Sequence, residues 1–198
     1  MVKADFGHPG HNGDDLNVDK ILIQAIKNSD ETAFELLLER YQKKIHRFAY
    51  RLLGDVDAAN DVAQETFLKF YKLLQGKSEI KYLAALLYRI AKNCCIDIKR
   101  KQRIRTITPE EMPVEYRTAF QVLDEKERQV RIEKALRKLP ENQQLAIVLR
   151  HTESLSYQDI GEVMSISVSA VESLLFRARS KLKKLLEQQE LLDSVSGN

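Results

Sequence analysis

Between Lys81 and Arg105 the chain carries eight basic side chains and one acidic one. Lys81, Arg89, Lys92, Lys99, Arg100, Lys101, Arg103 and Arg105 make the run, Asn93 and Asp97 sit among them, and Tyr82 and Tyr88 are interleaved. Cations at this density pair with phosphates, and aromatic faces beside them can stack on unpaired bases. A helix C-terminus also favours cations, but that effect fades within the last turn. The stretch KRKQRIR is longer than one turn can use. The chemistry on offer is capture of a nucleic-acid strand.

A second constellation lies in SYQDIGEVMSISVSAVESLLFRARSKLKKLL, residues 156–186. Ser156 can cap a short helix, with Asp159 at the reciprocal capping-box position. Tyr157, Ile160, Val163 and Met164 recur at three and four. Ser165 and Ile166 allow only a tight turn, and Ser167 can cap the next helix. There Val168, Val171, Leu174, Leu175, Ala178, Leu182 and Leu185 make an apolar face, and Arg177, Arg179, Lys181, Lys183 and Lys184 gather toward the end. A bracing helix, a tight turn and a second helix that offers its first side chains to base edges form a helix-turn-helix. A helical hairpin with a solvated basic face has the same pattern, so this segment alone leaves DNA binding and simple packing open.

Bond-making chemistry has little support. The motifs GxGxxG, GxxxxGK, GxSxG, HExxH and CxxC are all absent. Asp61 and Glu65 form an i,i+4 carboxylate pair, but no histidine or further carboxylate converges on it, and a protein-binding face is the better reading. Cys94 and Cys95 are neighbours on one helix and read as small packing residues in a reducing compartment. His8, His11 and His151 lack metal-ligand company. No catalytic residue, metal, cofactor or small-molecule substrate is expected.

Positioning these groups takes an all-α chain. A length of 198 residues allows one domain or two small ones. The net charge of +3 carries little information, so the distribution of charge matters more. No apolar run is long enough to cross a bilayer, and the first residues do not form a secretory signal; a cytoplasmic location is expected. Residues 1–17, with Gly7, Pro9, Gly10 and Gly13, are expected to be a disordered tail. Helical spacing begins at Val18, with Leu22, Ile23 and Ile26 inward. Ser29 or Asp30 starts a second helix through Ala33, Leu37, Tyr41, Ile45, Phe48 and Leu52, which Gly54 ends. Asp55 opens a third helix to about Leu74, with Phe67, Phe70 and Tyr71 inward. A fourth runs from about Glu79 to Arg105. These four make a domain of 18–105. Residues 106–125 form a linker and helix lead-in, with Pro109, Pro113 and three glutamates where the composition turns acidic. Helix returns from Phe120 with Val130 and Ile132 inward, and restarts at Pro140. His151 to Leu155 is a connection. The second domain spans 126–187, and 188–198 is expected to fray. The fold class is thus two small helical domains joined by a flexible linker, the second containing the helix-turn-helix.

Residues 22–187 resemble a bacterial sigma-70 family RNA polymerase factor of the short extracytoplasmic-function type. DAANDVAQETFLKFYKLL is similar to the family helix that docks on the polymerase beta-prime clamp, YLAALLYRIAKNCCIDIKRKQR to the promoter-melting and −10 helix, and the stretch from Leu136 to Leu186 to the −35 domain. The three in this order are a specific signature. The resemblance implies core-polymerase contacts at Asp61, Gln64, Glu65, Phe67 and Leu68. It implies −10 DNA contacts at Lys81, Tyr82, Tyr88, Arg89, Lys92, Asn93, Asp97, Arg100, Lys101 and Arg103, and a flipped-base loop at Gly76–Lys81. It implies −35 contacts at Ser167, Ser169, Ala170, Glu172, Ser173, Arg177, Arg179 and Lys181. The implied partners are core RNA polymerase through its beta-prime clamp and beta flap, promoter DNA, and an anti-sigma factor, often membrane-bound. The N-terminal acidic region and the middle domain of housekeeping members have no counterpart, which is what points to the short type.

There are departures. Where the family commonly has Gly-Thr-Val-Lys-Ser-Arg, this chain has Ser169-Ala170-Val171-Glu172-Ser173-Leu174. Glutamate can accept from cytosine N4 but repels phosphate, so the preferred −35 sequence is expected to differ. The usual tryptophan of the melting segment is replaced near Ala85 and Leu86, leaving Tyr82 and Tyr88 as the aromatics at hand. A stand-alone helix-turn-helix regulator is the alternative function, and a protein-interaction module a third; both leave the 55–74 helix or the basic stripe without a task.

Overall fold

A computed structural model describes residues 13–76, 80, 82–105 and 123–196. Among these every regular element is helical: α1 (Gly13–Lys27), α2 (Glu31–Leu53), α3 (Val56–Leu74), α4 (Leu83–Arg105), α5 (Leu123–Arg137), α6 (Glu141–Ile147), α7 (Tyr157–Met164) and α8 (Val168–Ser196).

The local signals for helix ends act as expected. Asp30 caps α2 by accepting from the Ala33 N–H, and Asp55 caps α3 by accepting from the Ala58 N–H. Each satisfies one of the backbone donors that a helix start leaves free. Gly54 ends α2 in the left-handed region, φ 75°, which a side chain would disfavour. Pro140 separates α5 from α6. The expected connection after α6 is instead a π turn, Val148–Thr152, closed by the Glu153 N–H donating to the Val148 carbonyl at 3.2 Å.

Three boundaries differ from expectation. Helix α1 begins at Gly13 rather than Val18, and within it Asp19 is buried and accepts from the Tyr41 hydroxyl at 2.6 Å. Helix α8 runs through the expected fraying point to Ser196. Helix α4 starts at Leu83, four residues after the expected Glu79. Residues 106–122 of the expected 106–125 linker and lead-in, Lys81, the loop residues 77–79 and residues 1–12 of the expected tail lie outside the described residues, while 123–125 open α5.

Helices α1 to α4 form one unit. Leu37, Ile45, Phe48, Ala59, Phe70, Leu83, Leu87 and Ala91 are at or near zero exposure. Helices α5 to α8 form the second, around Leu149, Leu155, Ile160, Val163, Val171, Leu175 and Ala178. Some residues expected inside are exposed: Tyr71 at 46%, Val130 at 48% and Val168 at 44%. Each lies at the margin of its apolar stripe, where spacing alone cannot tell a covered position from an open one. The buried apolar side chains of the two units make one continuous cluster, with α4 packed against α7.

Candidate nucleic-acid interface

The second unit presents a built reading head. Ser156 Oγ accepts from the Asp159 N–H at 3.1 Å while Asp159 Oδ2 accepts from the Ser156 N–H at 3.2 Å, so the capping box is complete. Ser165 takes φ 58° and turns the chain, and Ser167 Oγ accepts from the Ala170 N–H at 3.2 Å to start α8. Val171, Leu175 and Ala178 anchor α8 to the core. That leaves Ser169, Glu172, Ser173 and Arg177 exposed at spacings of three and four, on one face. Ser167 is exposed at its start and Ala170 is half-covered at its edge. Arg179 and Lys181 are exposed but flank that face; the Arg179 Nε donates to His151 Nε2 at 3.4 Å. Burial, then Arg179 and Arg150, hold His151 below the ordinary imidazole pKa, which suits the neutral acceptor role.

Phe176 sits in the middle of this face at 75% exposure, the most exposed large apolar side chain among the described residues. Sequence reading missed it, because an apolar residue between Leu175 and Arg177 looks like core. The signal was its register: Phe176 follows Ser169, Glu172 and Ser173 at helical spacing, while Leu175 follows Val171.

Helix α4 splits the basic stripe in two. Arg89, Asn93, Asp97, Arg100 and Lys101 share an exposed face, with the Arg100 Nη2 to Asp97 Oδ1 distance at 3.5 Å. Tyr88, Lys92 and Lys99 turn toward the second unit. Tyr88 is 2% exposed, packs edge-on against Phe48, and its hydroxyl donates to Glu153. It cannot stack on a base in this form, so that expectation is corrected: the aromatic ring is core. Lys92 Nζ donates to the Val163 carbonyl at 2.8 Å, and burial followed by Arg89 lowers its pKa. Lys99 Nζ lies 3.2 Å from Glu141 Oε1. Tyr82 is half-buried against the core. Lys81 and the side chain of Arg103 lie outside the described residues. Ala85, near the place of the missing tryptophan, is buried, and Leu86 is half-buried.

A third surface lies on α3. Asp61, Gln64, Glu65 and Leu68 are exposed on one face, Leu68 at 56%. Phe67 is 6% exposed and anchors the helix, so it positions this face more than it forms it. Glu65 Oε1 lies 3.3 Å from Lys69 Nζ, a solvent-exposed pair of small energetic weight. Beside the face is an open apolar cleft of roughly 860 Å³, lined among others by Phe34, Leu38, Gln64, Phe67, Leu68 and Tyr71. An exposed apolar surface of this kind, rimmed by carboxylates, marks protein contact.

The described residues hold no cluster of three or more histidine, cysteine or carboxylate side chains that could bind a metal, and no helix long and apolar enough to cross a membrane.

The family model for sigma-70 region 2 matches residues 37–105, and that for sigma-70 region 4 matches residues 129–182. The chain is 33% identical over 181 residues to the RNA polymerase sigma-H factor of Pseudomonas aeruginosa, covering 85% of this chain and 94% of that protein. It is 32% identical to the ECF RNA polymerase sigma factor SigW of Bacillus subtilis, covering 83% and 94%. Among solved structures it is similar to CnrH in complex with the cytosolic domain of CnrY, with TM-score 0.69, 25% identity, and 86% and 98% of the two chains covered. It is also similar to the sigma factor RpoE of Bartonella quintana in complex with the anti-sigma factor NepR, with TM-score 0.64, 25% identity, and 78% and 96% covered.

Proposed function

The chain belongs to the sigma-70 family of RNA polymerase sigma factors, of the extracytoplasmic-function type, and from that premise we propose which of its surfaces meets which partner. As an initiation factor it binds core RNA polymerase and directs it to promoters. The α3 face of Asp61, Gln64, Glu65 and Leu68 meets the polymerase clamp, with Phe67 beneath it. The exposed α4 face of Arg89, Asn93, Asp97, Arg100 and Lys101 tracks the opened −10 strand. The α8 face of Ser169, Ala170, Glu172, Ser173, Phe176 and Arg177 reads the −35 duplex, with Ser167, Arg179 and Lys181 on flanking phosphates.

The observation that carries this reading is the segregation of the three faces. One is carboxylate and apolar, as a protein contact requires. One is cationic along a helix, as a strand requires. One sits at the start of a braced second helix, as a major groove requires. Each face binds weakly alone; tethering on polymerase raises the effective concentration of the next contact. Phosphodiester bonds are made by the polymerase, and this chain supplies no catalytic group. Its place of action is the cytoplasm, where transcription runs. An anti-sigma factor is the further partner, a reading supported by the RpoE–NepR likeness.

A core-polymerase pull-down tests the assignment. Glu65→Arg should abolish association while leaving −35 duplex binding unchanged. Loss of duplex binding with association intact would move the polymerase contact off α3. A stand-alone helix-turn-helix regulator would give specific duplex binding with no polymerase association at all.

A further inference from the structure

We propose that Glu172 reads a cytosine of the −35 element, accepting from its exocyclic N4 amino group, and that its carboxylate rejects duplexes with another base at that place. This rests on α8 being the −35 reader, and it names one base pair that the reader requires.

Glu172 is exposed on the reading face, one turn after Ser169 and beside Ser173. Val171 and Leu175, at or near zero exposure, anchor the opposite side of α8 and hold that face outward. Inside the molecule the carboxylate has no task. Its helical neighbours at three and four residues are Val168, Ser169, Leu175 and Phe176, none of them cationic. Among the described residues no ion pair or hydrogen bond holds its side chain. The acids on the other two faces differ: Glu65 lies 3.3 Å from Lys69, and Asp97 lies 3.5 Å from Arg100. The helix dipole does not account for it either. Helix α8 begins at Val168, so Glu172 is past the first turn, where the dipole acts.

On DNA the same carboxylate meets a dense row of phosphates, which repel it. An ionised carboxylate only accepts hydrogen bonds. In the major groove guanine offers N7 and O6 and thymine offers O4, all acceptors, so neither base can satisfy it. Cytosine N4 and adenine N6 are the donors. Adenine sets the acceptor N7 beside N6, where it opposes the second carboxylate oxygen; cytosine has no acceptor of its own beside N4 in this groove. A glutamine amide, donor and acceptor together, fits adenine instead, and a lysine fits guanine. One side chain therefore sets one base pair, by attraction to cytosine and by repulsion from the rest.

A promoter library randomised across the −35 element tests this with core polymerase and the full-length chain. Heparin-resistant open complexes are recovered and their DNA is sequenced. Wild type should enrich cytosine about tenfold over the other bases at one position. On the same strand Glu172→Gln should move that preference to adenine and Glu172→Lys to guanine. Glu172→Ala should level the position, and all three variants should keep the rest of the element. The same base profile from all four proteins overturns the proposal. So does a position that Glu172→Ala levels but at which wild type selects a base other than cytosine. If wild type forms no open complexes, the initiation reading fails instead. The library bound by the full-length chain without polymerase then judges Glu172 by the same shifts, and no enrichment there overturns the base contact as well.

Discussion

Gly161 of α7 sits directly beneath the carbonyl of Ile166: a Cβ at Gly161 would lie 2.8 Å from that oxygen, closer than real side chains come. The oxygen belongs to the turn that aims α8, and the Ile166 N–H donates back to the Gly161 carbonyl at 3.0 Å. The absence of a side chain at one position thus sets the angle between the bracing helix and the reader. Gly161→Ala should push the turn away and misaim α8. Duplex −35 binding is expected to fall about tenfold or more, equivalent to roughly 1.4 kcal/mol or above, while polymerase association through α3 stands. Fluorescence anisotropy on a −35 duplex, beside a core pull-down, reads both. Undiminished duplex binding would mean that the turn tolerates the shift.

Phe176 makes a sharper claim about base reading. An aromatic edge on the recognition face suits the methyl group of a thymine. Phe176→Ala should weaken −35 binding by about 1–3 kcal/mol for its preferred duplex, with little change in melting temperature, because the ring is 75% exposed. Replacing each −35 thymine by deoxyuridine in turn should cost wild type at one position and cost Phe176→Ala nothing there.

Asp19 should matter to stability rather than to DNA. Its carboxylate accepts from the Tyr41 hydroxyl at 2.6 Å and lies 3.3 Å from Arg40 Nε. Asp19→Ala leaves a buried hydroxyl without its acceptor and loosens α1 from α2. Urea unfolding should show a loss of about 1–3 kcal/mol, with Asp19→Asn milder because the amide oxygen still accepts.

The helices and their ends were legible in the sequence because both are short-range. Asp30, Asp55, Ser156 and Ser167 act through atoms a few residues away, and apolar spacing sorts faces within one helix. What stayed hidden depends on a second surface. Val168 and Val130 continue apolar stripes but stay about half open to solvent. Tyr88 and Lys92 share the basic run with Arg89 and Asn93, yet a one-residue rotation around α4 turns them toward the second unit. Asp19 carries no local signal of burial; its acceptor role depends on Tyr41, from another helix. Gly161 has no side chain to flag its task. The three functional faces were named from residue order and family likeness; the structure adds which members of each set share a surface.

The two cysteines give a pH prediction. Burial pushes the Cys95 thiol up to about 12, and burial also raises Cys94 despite the Lys69 ammonium 3.5 Å from its sulfur. Folded chain should therefore resist iodoacetamide at pH 8, and both thiols should react once it unfolds. The sign for stability follows from proton binding: above the ordinary thiol value near 9 the unfolded chain loses these protons first, so the unfolded state gains. Stability should fall as pH rises from about 9 toward 12. Ready alkylation of the native chain at pH 8 would contradict the buried placement of both sulfurs.

Strand opening by polymerase carrying this chain is the central claim, and permanganate footprinting tests it most directly, since permanganate oxidises thymines that have left the duplex. Purified core polymerase, the full-length chain and a supercoiled library of upstream fragments should give reactive thymines confined to the −10 region of a subset of fragments. Core alone should give none, and Glu65→Arg should give none. Duplex binding by the chain with no permanganate-reactive thymines at any core concentration would contradict the account.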